Sequence, residues 1–278
     1  MKENTLETFR IDDRVAIITG GAGFLGVQHA EALLDGGATV ALVDVDGERL
    51  KSSVKELRGI YGADKVHGYT LDISSEKDVK KTVATIASEL SRIDILINNA
   101  ANNPQVSSMG TKNLDRLENF PFLHWQNDIA VGLTGAYLIS KYAGSYMSKK
   151  RGGVILNIAS DLGVVAPNQN LYRKEGVAET EQPVKPVTYS VVKHGLIGLT
   201  KYLATYWPKG NIRANSVSFG GVEKGQPESF LKRIEELIPM GRMAKPGEYK
   251  ASVLFLCSDA SSYMNGANVI IDGGRTVW

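Results

Sequence analysis

The chain has 278 residues, of which 43% are hydrophobic and 22% are charged. These proportions are ordinary for a globular protein and exclude a disordered or fibrous chain. Its 32 basic and 30 acidic side chains leave a formal charge of +2. So small a charge argues against a nucleic-acid partner or binding to an anionic membrane.

The cysteine and histidine content gives no sign of a disulfide or a metal site. Cys257 is the single cysteine, and the four histidines are scattered along the chain without zinc-site spacing. The N-terminus is polar, unlike a signal peptide, and no apolar run is long enough to cross a membrane. We therefore expect a cytoplasmic protein with no metal and no membrane partner.

Apolar runs of strand length alternate with stretches of helical periodicity along the chain. The predicted strands are residues 15–19, 39–44, 66–71, 93–98, 154–159, 212–217 and 268–271. Predicted helices follow the first strand through residue 34 and then cover residues 47–61, 75–91, 122–149, 187–207 and 246–258. The strands are nearly continuous apolar runs, which is typical of a parallel sheet buried on both faces. The pattern predicts one α/β domain over residues 1–278: a doubly wound (Rossmann) seven-stranded parallel sheet with helices on both faces.

Two long loops interrupt this alternation. Residues 161–186 are polar and irregular, and residues 219–245 carry glycines, prolines and charges around a short helix. Loops of this length inside a compact domain are usually functional. We expect both to be substrate loops.

A glycine-rich turn, TGGAGFLG at residues 19–26, joins the first predicted strand to the first helix. Glycines let the backbone approach a pyrophosphate, and a helix N-terminus offers free N–H groups and a positive dipole to it. The turn predicts a dinucleotide site. The expected contacts are Gly20, Gly23, Phe24, Leu25 and Gly26.

Asp44 ends the second predicted strand, where a carboxylate can accept hydrogen bonds from both ribose hydroxyls. The next residue, Val45, is not a cation, and the turn contains none. A 2′-phosphate would therefore meet a carboxylate without compensation, which favours NAD over NADP. A solvated acid at a strand end is the alternative interpretation of Asp44.

Polar residues also follow the third and fourth predicted strands. Asp72 is placed either to reach the adenine edge or to cap the helix behind it. Asn98 and Asn99, followed by Ala100, either wall the cofactor or satisfy loop backbone groups for structural reasons.

Tyr189 and Lys193 lie four residues apart, on one face of a largely apolar predicted helix. An unpaired lysine there would be costly. A cation at close range can lower the tyrosine pKa from about 10 by about 1–3 units, into the range of general acid/base catalysis. Ser160 closes another predicted strand, on the same rim of the sheet as the glycine turn.

Together these motifs resemble the single-domain branch of the short-chain dehydrogenase/reductase family, from Arg14 to the end of the chain. The resemblance implies that Ser160, Tyr189 and Lys193 form the catalytic set. Tyr189 would exchange a proton with the substrate, and Lys193 would hold the nicotinamide ribose and lower the Tyr189 pKa. Ser160 would bind the substrate oxygen while hydride passes between the substrate carbon and the nicotinamide.

The same resemblance implies further contacts. Asp72 and Ile73 would bracket the adenine, Asn98 would lie behind the cofactor, and Val222 would touch the carboxamide. Ala100 belongs to the expected cofactor wall. The tail of the sequence implies a homotetramer or homodimer with the C-terminal strand near the interface.

The glycine turn and the predicted helix at residues 122–149 depart from that family pattern. The spacing of Gly20, Gly23 and Gly26 is that of the epimerase/dehydratase branch, with Phe24 in place of a glycine. Gly132 stands where most relatives have an asparagine that steadies the helix and a proton-relay water.

Two other departures lie near the predicted substrate loops. Phe219 replaces a proline. Residues 161–188 separate Ser160 from Tyr189, more than twice the usual length.

The long segment carries amide, phenol and cationic side chains: Asn168, Gln169, Asn170, Tyr172, Arg173 and Lys174. These groups suit a small-molecule substrate that is hydroxyl-rich or anionic, although the cations could instead face solvent or a neighbouring subunit. The segment and the tail at residues 273–278 resemble bacterial oxidoreductases of flagellin-modification and nonulosonic-acid pathways. That resemblance implies an amino-sugar or sugar-alcohol substrate.

The leading interpretation is an NAD(H)-dependent oxidoreductase acting on a secondary alcohol or ketone of a carbohydrate-like molecule. A redox-neutral sugar-nucleotide epimerase or dehydratase is the first alternative, on the glycine spacing. A cofactor-binding regulator with weakened turnover is the second, because of Gly132.

Overall fold

The computed structural model describes residues 4–102, 113–207 and 209–278. Seven strands form one sheet in the order β3-β2-β1-β4-β5-β6-β7, and every neighbouring pair is parallel. The strands are β1 (Val15–Thr19), β2 (Thr39–Asp44), β3 (Val66–Thr70), β4 (Ile95–Asn98), β5 (Gly153–Ile158), β6 (Ile212–Phe219) and β7 (Asn268–Ile271). The predicted doubly wound sheet is confirmed.

Helices cover both faces of this sheet. They are α1 (Phe24–Asp35), α2 (Gly47–Tyr61), α3 (Glu76–Glu89), α4 (Phe122–Ile129), α5 (Gly135–Ser148), α6 (Val187–Tyr206), α7 (Glu228–Glu235) and α8 (Lys250–Cys257). Successive side chains of β1 point to opposite faces: Ile18 packs in the core with α1, α2 and α8, and Ile17 packs with α3, α5 and α6. Both side chains are fully buried, which explains why the strands are apolar throughout rather than alternating.

The strand order reverses between β1 and β4. In an open α/β sheet, the helices on either side of such a switch point diverge and leave a crevice at the carboxyl ends of the strands. The glycine turn after β1 and the polar residues after β2, β4 and β5 all lie at this edge.

The predicted helix over residues 122–149 is present as helical backbone from Phe122 to Ser148, but it is not α-helical throughout. A π-helical turn, Ala130–Thr134, separates α4 from α5. Gly132 lies in this turn and packs against α6, where an added Cβ would be 2.5 Å from Val192 Cγ1. The close approach of two helices at Gly132 is a tertiary contact, which local periodicity does not contain.

Smaller differences concern the ends of elements. The predicted helix at 246–258 begins at Lys250, because Gly247 has a φ of +86° and cannot continue a right-handed helix. The short helix expected within the loop at 219–245 is α7, whereas Phe219 still belongs to β6.

We predict that Gly132→Ala destabilises the protein by about 1–3 kcal/mol, because the new methyl group overpacks the contact with Val192. Urea unfolding measures the change. Gly198→Ala is the matched control, since Gly198 lies on α6 with nothing within 4 Å of an added Cβ.

Val192→Ala in the Gly132→Ala background should cost less than the sum of the two single changes, because it makes room for the methyl group. Strict additivity would contradict the packing explanation.

Candidate active site

A cleft of about 1340 Å³ opens at the carboxyl edge of the sheet. Most of the predicted site residues line it: Gly20, Gly23, Phe24, Leu25, Asp44, Asp72, Ile73, Ala100, Ser160, Tyr189, Lys193 and Val222. Gly26 and Asn98 are predicted site residues that lie behind its wall. The structure therefore brings the cofactor and catalytic predictions together in one cavity.

The glycine turn is shaped by close backbone contacts. Gly20 has a φ of +60°, and an added Cβ there would lie 2.9 Å from the Ala100 Cα. Gly26 does not touch the cleft, contrary to the predicted contact; an added Cβ would lie 2.1 Å from the Gly20 carbonyl oxygen, so this glycine lets α1 pack on the turn. Within the described ranges no side chain caps the N-terminus of α1. The backbone N–H groups at that end are thus available to a pyrophosphate, and the turn fits a dinucleotide.

Asn98, the last residue of β4, and Asn99, the residue after it, make different contacts. The Asn99 side-chain amide donates to the carbonyl oxygens of Thr19 and Gly20, at 3.0 and 3.1 Å, and so holds the turn. The Asn98 amide donates to Ser140 Oγ at 2.9 Å and Asn157 Oδ1 at 2.7 Å, inside the protein. Asn99 lines the cleft, and Asn98 supports the strand end behind it.

Asp44 is buried and faces the turn. Its carboxylate accepts hydrogen bonds from the backbone N–H groups of Ala22 and Asp46, both at 3.1 Å. Arg49 Nη2 lies 3.7 Å from Asp44 Oδ1 and also lines the cleft. Sequence reasoning missed Arg49 because it sought a cation next to Asp44, whereas the first turn of α2 returns residue 49 to that place.

Asp72 lines the cleft and also accepts hydrogen bonds in the turn before α3. Its Oδ1 accepts hydrogen bonds from the Ser74 backbone N–H at 2.9 Å and the Ser74 hydroxyl at 2.7 Å, while the residue still lines the cleft. The N-cap position of α3 is Ser75, so Asp72 orders the turn before the helix rather than the helix itself. Ile73 is buried beside it.

Ser160 and Lys193 are fixed at the end of β5. Ser160 Oγ donates to Asp161 Oδ1 at 2.7 Å. Lys193 Nζ donates to the Ile158 carbonyl oxygen at 2.7 Å and lies 5.6 Å from the centroid of the Tyr189 ring. The helical spacing of four residues in α6 therefore places the phenol and the ammonium together, with Ser160 on the same rim.

The pKa of Tyr189 is raised in this structure rather than lowered, which corrects the expected effect of Lys193. Burial is the main cause, the charge of Asp161 adds to it, and hydrogen bonding with Ser160 works in the opposite direction. The ammonium of Lys193 is itself buried, and this burial, together with the charge of Lys185, lowers the Lys193 pKa to about 8. Desolvation is therefore the main influence on the pKa of both groups.

Lys185 is a site residue that the sequence analysis did not name. Its Nζ lies over the Tyr189 ring, 4.2 Å from the centroid, and burial lowers its pKa to about 8. Gln169 holds the Lys185 backbone from both sides: the Lys185 N–H donates to Gln169 Oε1 at 2.8 Å, and Gln169 Nε2 donates to the Lys185 carbonyl at 3.4 Å. The flanking prolines in QPVKP were the available signal, since they restrict the backbone around this lysine.

The long segment between Ser160 and Tyr189 folds onto its own chain. Tyr172, Arg173 and Lys174 line the cleft, whereas the predicted amides Asn168, Gln169 and Asn170 do not and bond within the segment. Its buried Leu171 packs in a cluster with Ile234, Ile238 and Met243. Residues 161–186 and 219–245 therefore form one continuous wall of the cleft.

The remaining departures from the family pattern are packing features. Gly132 does not line the cleft, and Val192 occupies the space beside it. Phe219 stacks on Tyr249, with ring centroids 4.0 Å apart.

The described ranges contain no candidate metal centre and no candidate membrane span. No three His, Cys, Asp or Glu side chains in residues 4–102, 113–207 and 209–278 are grouped to hold a metal ion. In the same ranges no helix has both the length and the hydropathy needed to cross a bilayer.

Comparison with known proteins gives matches along nearly the whole chain. A family model described as enoyl-(acyl carrier protein) reductase matches residues 22–276. The chain is 33% identical over 274 residues to D-threitol dehydrogenase from Mycolicibacterium smegmatis, covering 97% of this chain and 95% of that protein. It is 32% identical to 3-oxoacyl-(acyl-carrier-protein) reductase from Thermotoga maritima, with 96% and 100% covered. NAD-dependent glycerol dehydrogenase from Listeria innocua is 31% identical, with 97% and 96% covered.

A solved structure gives the same result. The crystal structure of a short-chain type dehydrogenase/reductase from Mycobacterium marinum superposes with a TM-score of 0.82 at 28% identity, and 99% of each chain is covered.

The buried ammonium of Lys193 leads to a prediction about stability and pH. Between about pH 8 and the ordinary lysine pKa of 10.5, the unfolded chain binds a proton at Lys193 that the folded chain does not. Unfolding then takes up a proton, so this lysine makes the free energy of unfolding rise with pH, by up to about 1.4 kcal/mol per pH unit.

We therefore expect the wild type to gain stability relative to Lys193→Met as the pH is raised from 8 to 10, measured by urea unfolding. Lys201→Met, at an exposed position of the same helix, should follow the wild type. Parallel pH curves for wild type and Lys193→Met would contradict the shifted pKa.

Proposed function

Since the chain belongs to the short-chain dehydrogenase/reductase family of oxidoreductases, we propose that it transfers a hydride between NAD(H) and a secondary alcohol or ketone of a polar, carbohydrate-like small molecule. One observation supports this most directly: Ser160, Tyr189 and Lys193 share a single cleft with the glycine turn and Asp44. The cavity can therefore hold a dinucleotide and a small substrate side by side.

NAD supplies the hydride acceptor when it is bound. In the proposed arrangement the turn after β1 binds the pyrophosphate, Asp44 binds the adenine ribose, and Asp72 and Ile73 flank the adenine. Lys193 uses one N–H on the Ile158 carbonyl, and its remaining N–H groups are proposed to hold the nicotinamide ribose.

Tyr189 is the proposed general acid and base. Its raised pKa keeps the proton on the phenol Oη near neutral pH, which suits donation to a substrate carbonyl oxygen during reduction. For oxidation the same oxygen must take the hydroxyl proton, so the rate in that direction should increase with pH. Ser160 Oγ is proposed to orient the reacting oxygen, to which its hydroxyl proton turns from Asp161 when a substrate carbonyl binds.

The substrate class is inferred from the wall of the cleft. Tyr172, Arg173, Lys174 and Lys185 give that wall a polar and cationic character, which suits hydroxyl-rich or anionic molecules. Two relatives bear the names D-threitol dehydrogenase and glycerol dehydrogenase, which supports a polyol or sugar-like substrate. The narrower link to flagellin-modification and nonulosonic-acid pathways stays a prediction, as do the cytoplasmic location and the homotetramer or homodimer.

An NAD-reduction screen over polyols, sugar acids, amino sugars and sugar nucleotides tests this proposal. Net NADH formation supports it. Conversion of a sugar nucleotide without net NADH would favour the epimerase or dehydratase alternative, and tight NADH binding with no turnover would favour the regulator.

We predict that Tyr189→Phe lowers kcat at least about 100-fold, because it removes the hydroxyl that exchanges the proton. Affinity for NADH, measured by fluorescence titration, should change less than about two-fold. Tyr202→Phe, at an exposed position of the same helix, is the control and should keep full activity. Retained turnover in Tyr189→Phe would defeat the assignment.

We predict that Asp44→Ala reduces the ratio of kcat/KM for NAD to that for NADP by at least about ten-fold, equivalent to about 1.4 kcal/mol. The change removes the ribose acceptor and leaves Arg49 near the position of a 2′-phosphate. Adding Arg49→Gln to Asp44→Ala should cancel any gain with NADP. An unchanged ratio in Asp44→Ala would remove the proposed ribose contact.

A further inference from the structure

The C-terminal tail returns to the catalytic serine. The guanidinium of Arg275 forms an ion pair with Asp161, the residue that follows Ser160, across 114 positions of sequence. The two side chains are 11% and 4% exposed, and both residues line the cleft. This ion pair is far less exposed than an ordinary surface pair, whose contribution to stability is small.

Asp161 sets the hydrogen bonding of Ser160. Asp161 Oδ1 accepts the Ser160 hydroxyl at 2.7 Å and the Leu162 backbone N–H at 2.8 Å. The Leu162 N–H also lies 3.2 Å from Ser160 Oγ. A serine hydroxyl has one proton, and the position of the Asp161 carboxylate fixes where Ser160 directs that proton before a substrate binds.

The tail is itself held in place, so Arg275 is not a loose side chain at a chain end. Asp272 accepts hydrogen bonds from the backbone N–H groups of Gly274 at 2.8 Å and Thr276 at 2.9 Å. Gly274 has a φ of +90° and packs against Pro239, and Trp278 Nε1 donates to the Leu237 carbonyl at 3.3 Å. The tail thus packs on the segment that forms the second loop of the cleft wall.

Arg275 also balances charge near the reacting phenol. Asp161 is one of the groups that raise the pKa of Tyr189, and the cation of Arg275 compensates that carboxylate. The charged and titratable groups around the phenol are Asp161 after β5, Lys193 on α6, Lys185 and Tyr172 in the long segment, and Arg275 in the tail. Removing the guanidinium would leave a buried carboxylate uncompensated beside Tyr189.

We propose that Arg275 is a positioning residue that acts through Asp161 to orient Ser160 and to limit the effect of the aspartate charge on Tyr189. The inference rests on the proposed oxidoreductase function and makes the C-terminal tail a part of the active site.

The test compares Arg275→Met, Arg275→Lys and the double variant Asp161→Asn/Arg275→Met with the wild type. Alcohol oxidation is followed over a pH series with NAD and the best substrate of the screen, starting with D-threitol, glycerol and xylitol. Arg275→Met should lower kcat at least ten-fold and move the midpoint of the pH–rate profile upward by about one unit, with KM for NAD within two-fold.

The other variants separate charge from packing. Arg275→Lys should return the midpoint close to that of the wild type, because it restores the cation. The double variant removes both charges and should bring the midpoint to the wild-type value or below it. It also leaves no unpaired buried charge, so it remains informative if Arg275→Met does not fold.

Arg14→Met is the matched control, because Arg14 forms another long-range pair, with Asp259 at 2.5 Å, and lies away from the cleft. It should leave kcat and the midpoint unchanged. Wild-type kcat and an unshifted midpoint in Arg275→Met would overturn the proposal, and so would a midpoint in the double variant as high as in Arg275→Met.

If the screen yields no substrate, ultraviolet difference titration of tyrosine ionisation, with Tyr189→Phe as the reference in each background, measures the same upward shift without turnover. A missing shift there overturns the positioning role, whereas a shift without any turnover supports it and counts against the proposed function instead.

Discussion

Burial of charge at one edge of an otherwise apolar sheet is the constraint on which the active site depends. Both faces of the sheet are covered by helices, so polar groups gather where β1, β2, β4 and β5 end. Lys193 lies there with its ammonium on the Ile158 carbonyl, largely removed from water. A desolvated ammonium needs a partner or a reduced pKa, and this one has both. The result is a cation that is fixed beside the Tyr189 phenol.

Several charged side chains surround Tyr189, and they include both cations and an anion. Lys185 and Lys193 lie near its ring, and Asp161 raises its pKa while being neutralised by Arg275. Burial and the charge of Asp161 hold the phenol in its neutral form in the protein alone. A bound nicotinamide in its oxidised form would bring a further positive charge to this cavity, and an added positive charge lowers the pKa of a phenol. The acidity of Tyr189 therefore depends on its burial and on Asp161, and not only on the lysine four residues away.

The sequence predicted the fold well because the signals for it are local. Continuous apolar runs and strict alternation of strands and helices gave the strand set, and the bounds of β1, β2, β7 and α2 agree with the prediction. The errors arose where distant parts of the chain meet. Gly132, in the π-helical turn at Ala130–Thr134, packs against Val192 of another helix, and the raised pKa of Tyr189 follows from its burial and from the charge of Asp161. The proximity of Tyr189 and Lys193 was predictable because their spacing within α6 is itself a local feature.

The wall of the cleft near Tyr189 is built from non-local contacts. The long segment after Ser160 brings Lys185 over the Tyr189 ring and packs through Leu171 on the region around α7. The tail packs on the same region and brings Arg275 to Asp161. The long segment and the tail therefore pack on one region of the chain and bring Lys185 and Arg275 to neighbouring positions, beside Tyr189 and Asp161. Because both cations are held by segments that share this support, neither position could be read from the sequence around it.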